Sequence, residues 1–383
     1  RFNNECWMLT SLGFSCDGFD YGIAAEAKEF DGINQYIRIT DIDDDSSSYT
    51  SRNSVSPSFL DENCVCIEND ILFARTGAST GKTYLYNRND GKLYFAGFLI
   101  RANVKPIFDP YFVFTMTKTS RYANWIKIMS ARSGQPGINA QEYKTFSFYH
   151  PSLKTQNKIS KFIKNIDKRI QTQSKIIEDL KLLKFRLIDS LIGENIPNCI
   201  FENLYNFASE GGTPSTSKMQ YYENGTIPFV KIDDLKEKYL QENRDYITED
   251  GLSNSSAWLI PTNSIIYSNG ATIGKLSINT YPIATKQGIL GIIPSKLVIP
   301  EYMYYFMQSK YFRKEVHKIT VKGTMDCAYL KDLSKIKCYI PSIKEQEKDI
   351  DILNCLDEKI KIEYILIKKY KEQKKFLLSN MFI

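Results

Sequence analysis

At 383 residues, 43% hydrophobic and 25% charged, the chain has apolar material for two or three folded domains, which excludes a disordered or low-complexity polypeptide. No run approaches the roughly 18 apolar residues that span a bilayer, and eight scattered cysteines with two isolated histidines argue against a structural metal and predict reduced thiols in a cytoplasmic protein. The net charge of +6 is concentrated in residues 152–192, where ten Lys or Arg face four Asp or Glu, so the rest of the chain holds a polyanion only through local patches.

Residues 1–151 alternate short apolar stretches with Gly, Asn, Asp and Pro. Strands are expected at 36–42, 71–74 and 98–102, and Asp109-Pro110 predicts a helix over 110–130. From Thr155 to Ile192 there is no Gly or Pro. Apolar residues recur there at steps of three and four, through Ile159, Ile163, Ile166, Ile170, Ile177, Leu180, Leu187 and Leu191, the pattern of a coiled-coil seam. The same elements then return. Strands are expected at 228–232, 264–267 and 289–293, a helix at 300–319, and a last long helix at 344–383. The seam of that helix runs through Leu353, Leu356, Ile360, Ile367, Tyr370, Leu377 and Met381. Each long helix measures ~60 Å at 1.5 Å per residue.

The return is literal. YIRITDI (36–42) answers FVKIDDL (229–235), and ARTGASTGK (74–82) answers YSNGATIGK (267–275), both 193 residues apart. Further on, YFVFTM (111–116) answers YMYYFM (302–307) at 191, and HPSLKTQNKI (150–159) answers IPSIKEQEKD (340–349) at 190. So steady a spacing marks a tandem duplication. Under the last offset Ile163, Ile166, Ile170 and Ile177 fall on Leu353, Leu356, Ile360 and Ile367. Neither helix buries its seam alone, so the two are expected to pair antiparallel; docking of each on its own domain is the alternative. The predicted organisation is a domain at 1–151, a helix at 152–192, a second domain at 193–341 and a second helix at 342–383.

Catalytic motifs are incomplete. GASTGKT (77–83) has three residues between its glycines where a phosphate loop needs four, and its copy places Leu276 at the hydroxyl position. A nucleotide-binding protein of this kind is the first rival reading, and a coiled-coil adaptor that never touches DNA is the second. DPYF (109–112) lacks the second proline of an amino-methyltransferase loop and reads as a helix start. Acidic clusters at 41–45 and 233–234 suit solvated loops or the orientation of nearby Arg and Lys.

Polar residues suited to phosphates and base edges occur twice. The first turn carries Arg75, Thr76, Ser79 and Lys82; its copy carries Asn269, Thr272 and Lys275. A second polar loop holds Arg132, Ser133, Gln135 and Asn139, with Lys322 and Thr324 in its partner. Thr213 and Lys286 complete the candidate DNA contacts.

GGTPSTSKMQYYENGTIPFVKIDDL (211–235), YGIAAEAKEFDGINQYIRITDID (21–43) and PSLKTQNKISKFI (151–163) resemble segments of the specificity subunit of type I restriction–modification systems, and the resemblance covers essentially the whole chain. It implies an α+β architecture of two tandem target-recognition domains, each a mixed β-sheet with helices, separated by two long helices forming an antiparallel coiled coil. It further implies a non-catalytic reader of a split, asymmetric double-stranded DNA target, one domain per half-site. Two methyltransferase subunits, which bind S-adenosylmethionine, and ATP- and Mg-dependent restriction subunits are the implied partners. No cofactor is expected on this chain and no membrane contact.

Overall fold

The computed structural model describes residues 6–44, 46–131, 137–193, 196–270, 272–321 and 326–380. It divides into two compact units, residues 1–174 with 365–383 and residues 175–364. Each unit therefore combines a globular domain with a stretch of both long helices.

Unit 1 is built on an antiparallel sheet of β1 (Cys16–Tyr21), β2 (Asp70–Ala74), β3 (Thr83–Leu85) and β4 (Leu99–Val104), in the order β1-β4-β2-β3. Every residue of β2 is buried, because the strand separates two cores. Ile71 and Phe73 meet the helical side, while Leu72 and Ala74 face a second cluster with Tyr36, Tyr94 and Phe95. The two-residue period of a strand distributes its side chains in this way. The helix expected over 110–130 is two helices, α1 (Pro110–Met116) and α2 (Ser120–Ser130). Thr119 interrupts them: its hydroxyl accepts from the Tyr122 amide and caps a fresh helix start. The first long helix, α3 (Leu153–Ile188), continues into a π-type turn, Asp189–Gly193.

Unit 2 repeats the plan with β5 (Tyr205–Glu210), β6 (Tyr239–Leu240), β7 (Ile265–Ser268), β8 (Leu276–Asn279) and β9 (Ile289–Pro294) in the order β5-β9-β7-β8-β6. The first four strands of that order reproduce the sheet of unit 1, and β6 adds itself parallel to β8. Its helix pair is α4 (Pro300–Phe306) and α5 (Lys310–Ile319), divided at Ser309, whose hydroxyl caps the Phe312 amide. The second long helix is α6 (Ile343–Asn380).

The strand expected over 36–42 ends at Ile37. Asp41 accepts from the Arg38 amide at 2.9 Å and from its guanidinium, folding 39–41 into a tight turn. In the copy Asp234 accepts from the Lys231 amide at 2.9 Å. The carboxylates thus orient their own turns.

Within each unit the two long helices run antiparallel. In unit 1 Leu377 packs on the cluster containing Ile159 and Ile163, while Lys374 pairs with Asp167 at 2.5 Å. In unit 2 Lys184 pairs with Asp357, and Ile188 and Ile192 share a core with Ile350 and Leu353. The two ion pairs are copies of one another 190 residues apart, with carboxylate and ammonium exchanged between the helices. Each carboxylate also accepts a tyrosine hydroxyl from its own domain, Tyr111 on Asp167 and Tyr305 on Asp357. Seam residues Ile163, Ile166, Ile177 and Leu353 are buried, whereas Ile170, Leu356, Ile360 and Ile367 are half-buried. Buried Gln173 and Glu363, again 190 apart, interrupt the apolar seam, a device that favours one register over others.

Domain and helix are locked by a duplicated glutamine. Gln156 accepts from the Asp109 amide at 3.1 Å and donates to the Pro151 carbonyl at 2.9 Å. Gln346 accepts from the Ile299 amide at 2.9 Å and donates to the Pro341 carbonyl at 3.0 Å.

Both first strands end at a glycine pressed against a neighbouring backbone. A Cβ on Gly22 would lie 2.3 Å from the Phe95 carbonyl oxygen, and one on Gly211 would lie 2.2 Å from that of Thr285. Gly211→Ala is expected to cost about 3 kcal/mol, because backbone rather than a movable side chain must yield. Urea unfolding monitored by circular dichroism measures it, and a midpoint equal to wild type would refute the close approach.

Candidate nucleic-acid interface

In unit 1 the chain leaves β2 through a turn at 75–82. Gly77 and Gly81 adopt positive φ, 74° and 91°. The Ala74 amide takes the Lys82 carbonyl at 2.8 Å, and the chain enters β3 directly. A phosphate loop instead feeds the N-terminus of a helix, so this geometry is a tight turn. The second polar loop returns beside it: Thr76 bridges Gly137, and the Ile138 amide donates to the Arg75 carbonyl at 2.9 Å. The turn preceding β4 joins them, with the Arg75 amide on the Phe98 carbonyl at 3.1 Å.

Unit 2 assembles the same segments. Gly270 bridges Cys327, and the Ala328 amide donates to the Asn269 carbonyl at 2.8 Å. The Asn269 amide in turn bonds the Gly288 carbonyl at 3.0 Å. Thus both predicted polar loops converge at one end of each sheet.

The candidate side chains fare differently. Arg75, Thr76 and Ser79 are half-buried at the rim of the turn. Lys82 is turned inward, its ammonium 2.6 Å from the Ile42 carbonyl and 2.6 Å from the Asp44 carboxylate, with 13% of its side chain exposed. This pairing holds the 42–44 loop and takes Lys82 away from a phosphate. Asn139 is an N-cap, accepting from the Glu142 amide at 2.9 Å in a capping box. Asn269 is 1% exposed and donates inward to the Ala328 carbonyl, so no base edge reaches its amide in this arrangement. The spacing of those three residues showed only that they recur in polar loops, and burial decided their partners. Thr272, Lys275 and Lys286 are exposed. Thr213 is half-buried, its hydroxyl accepting from the Gln287 amide at 3.4 Å. Arg132, Ser133, Gln135, Lys322 and Thr324 lie outside the described residues.

The sequence reading missed Tyr21 and Phe98, whose rings flank the Arg75 guanidinium at 4.9 and 6.0 Å. Neither recurs in the copy, so the repeat carried no signal for them. It also missed the ties between domain and helices. Those were legible in principle, since Gln156 and Gln346, Asp167 and Asp357, and Lys184 and Lys374 all recur at 190. Around the last tie of unit 2, Lys238 donates to Tyr305 at 3.1 Å and to Asn354 at 2.5 Å, and burial pushes its ammonium pKa down. Among the described residues no group of three His, Cys, Asp or Glu is placed to hold a metal, and no helix is long and apolar enough to cross a membrane.

Comparison with known proteins agrees with this duplicated layout. The family model described as the type I restriction modification DNA specificity domain matches twice, over residues 22–182 and 200–371. The specificity subunit of the type I restriction enzyme EcoR124I/EcoR124II from Escherichia coli is 30% identical over 153 residues, which is 38% of this chain and 37% of that subunit's own length. The MjaVIII specificity subunit of Methanocaldococcus jannaschii is 24% identical over 337 residues, covering 80% of this chain and 75% of that one. The crystal structure of a type I restriction–modification S subunit from M. genitalium superposes with a TM-score of 0.58 at 17% identity, over 100% of this chain and 97% of the other. A chain from a structural study of type I R-M complex assembly and conformational transition gives 0.62 at 15% identity, over 99% and 97%. Two copies of the family domain, spanning most of the sequence and coinciding with the two sheet-and-helix repeats, place the chain in the type I restriction–modification DNA specificity family.

Proposed function

We propose that this chain is the non-catalytic DNA-reading subunit of a type I restriction–modification complex, each sheet domain addressing one half of a split, asymmetric target. One observation carries this reading: the two units bring the same loops to the same end of the same sheet, yet fill them with different residues. A shared frame with divergent rims suits two half-sites of different sequence, and a paired-helix spacer suits a fixed gap between them. Exposed Lys275 and Lys286 supply phosphate contacts, and affinity falls steeply with salt in proportion to such contacts.

The adenine chemistry belongs to two methyltransferase subunits that bind S-adenosylmethionine, with restriction subunits using ATP and Mg in the full assembly. On this reading the chain works with DNA in the cytoplasm. Sequencing the methylated adenines of cells that carry the chain with its methyltransferase tests the proposal. A bipartite motif absent from cells lacking the chain is expected; methylation unaffected by its deletion would refute it.

A further inference from the structure

Resting on that DNA-reading function, we infer that Arg75 is a specificity-determining residue that reads a guanine in the half-site addressed by unit 1. The guanidinium is set in place before any ligand arrives. Its Nε donates to the Gly97 carbonyl at 3.0 Å, and the rings of Tyr21 and Phe98 lie at 4.9 and 6.0 Å from its carbon. Tyr21 is itself tied down, its hydroxyl accepting from the Ala140 amide at 3.2 Å. With Nε occupied, the outer edge formed by Nη1 and Nη2 has no acceptor among the described residues. Three other arginines of this unit are spent on carboxylates, Arg38 on Asp41, Arg88 on Glu68 and Arg101 on Asp20, and Arg121 lies over the Tyr149 ring.

Two parallel N–H donors in a fixed plane match the O6 and N7 acceptors of guanine in the major groove. A phosphate also accepts such a fork, but the surroundings favour a base. Phe98 stands beside the fork with 59% of its surface exposed, and Tyr21 with 46%. Apolar rings suit the edges of stacked bases and gain nothing against hydrated phosphate oxygens. Among the described residues no carboxylate pairs with the group, and holding it in advance reduces the rotamer entropy lost on binding.

Unit 2 lacks the device. At the places of Tyr21, Arg75 and Phe98 it has Glu210, Ser268 and Gly288, which satisfy the local backbone. Glu210 accepts from the Gly288 amide at 2.7 Å, while the Ser268 hydroxyl bonds the Thr272 carbonyl and accepts from the Lys275 amide. The guanine reading is therefore confined to the first half-site.

The test uses the complete complex with methyltransferase subunits. Methylated motifs are sequenced for wild type, Arg75→Ala and Arg75→Lys, and binding is measured to duplexes in which each guanine in turn is replaced by 7-deazaguanine, which lacks N7. The expected result is one guanine of the unit 1 half whose replacement weakens wild type by about 5- to 100-fold and leaves Arg75→Ala unaffected. Both variants relax the motif at that position and keep the other half intact, which reports that they fold. Arg75→Lys retains the charge without the fork and does not restore discrimination. Uniformly weaker binding with the motif unchanged, rescued by Lys, would make Arg75 a phosphate contact and overturn the inference. A wild-type complex that methylates no defined motif overturns the DNA-reading function beneath it.

Discussion

Exchanging residues 1–151 for another recognition domain of the family is expected to change one half of the methylated sequence and leave the other half and the gap as they were. The physical ground is the separateness of the reading surfaces. The turn at 75–82 is bonded to the loop ending at Ile138 and to the turn preceding β4 of unit 1. Their equivalents at 269–270 and 327–328 are bonded within unit 2. Each sheet has its own buried clusters, so a side chain exchanged in one does not repack the other. Both long helices are retained in the exchange. Gln156 must still find a backbone amide and a carbonyl at the incoming junction, so a suitable donor domain has a proline-led helix start, as at Asp109-Pro110 and Ile299-Pro300, before its Pro-Ser. Methylated-base sequencing scores the outcome: simultaneous change of both halves would end the one-domain-per-half reading.

The second large effect is on stability. Leu353→Ala is expected to cost about 2–5 kcal/mol, the range for deleting a fully buried leucine from a core that closes only partly around the gap. Leu353 is 0% exposed and shares a cluster with Ile188, Ile192, Tyr302 and Met303. Its loss therefore damages the union of both helices with the second domain, not a free-standing coil. Leu356→Ala, one turn on and half-buried, should cost less than half as much. Denaturant melts of the two variants make the comparison, and equal losses would show that α6 packs as an isolated coiled coil with evenly weighted positions.

The difference between these leucines shows how far periodicity reaches. Spacing at threes and fours placed both on one face, but burial depends on what stands opposite. Leu353 meets the sheet domain as well as α3, whereas Leu356 is half-buried and lies outside that cluster. The same limit explains the split helices. Thr119 and Ser309 read as ordinary helix residues until their hydroxyls are seen capping the next turn. It explains Lys82 as well, a basic residue in a polar turn that the 42–44 loop claims first.

What the sequence by itself determined is the plan: two copies, the paired helices and the loops that differ. Repetition at a steady offset and a three-and-four apolar rhythm are one-dimensional signals, because both follow from residues near one another along the chain. Which loop residues face outward was decided only by tertiary structure. The Arg75 clamp draws on Tyr21, Gly97 and Phe98, and the burial of Asn269 on Gly288 and Ala328. Such neighbours are joined by sheet pairing across tens of residues, and no local pattern encodes which donor an acceptor will meet once the sheet has closed.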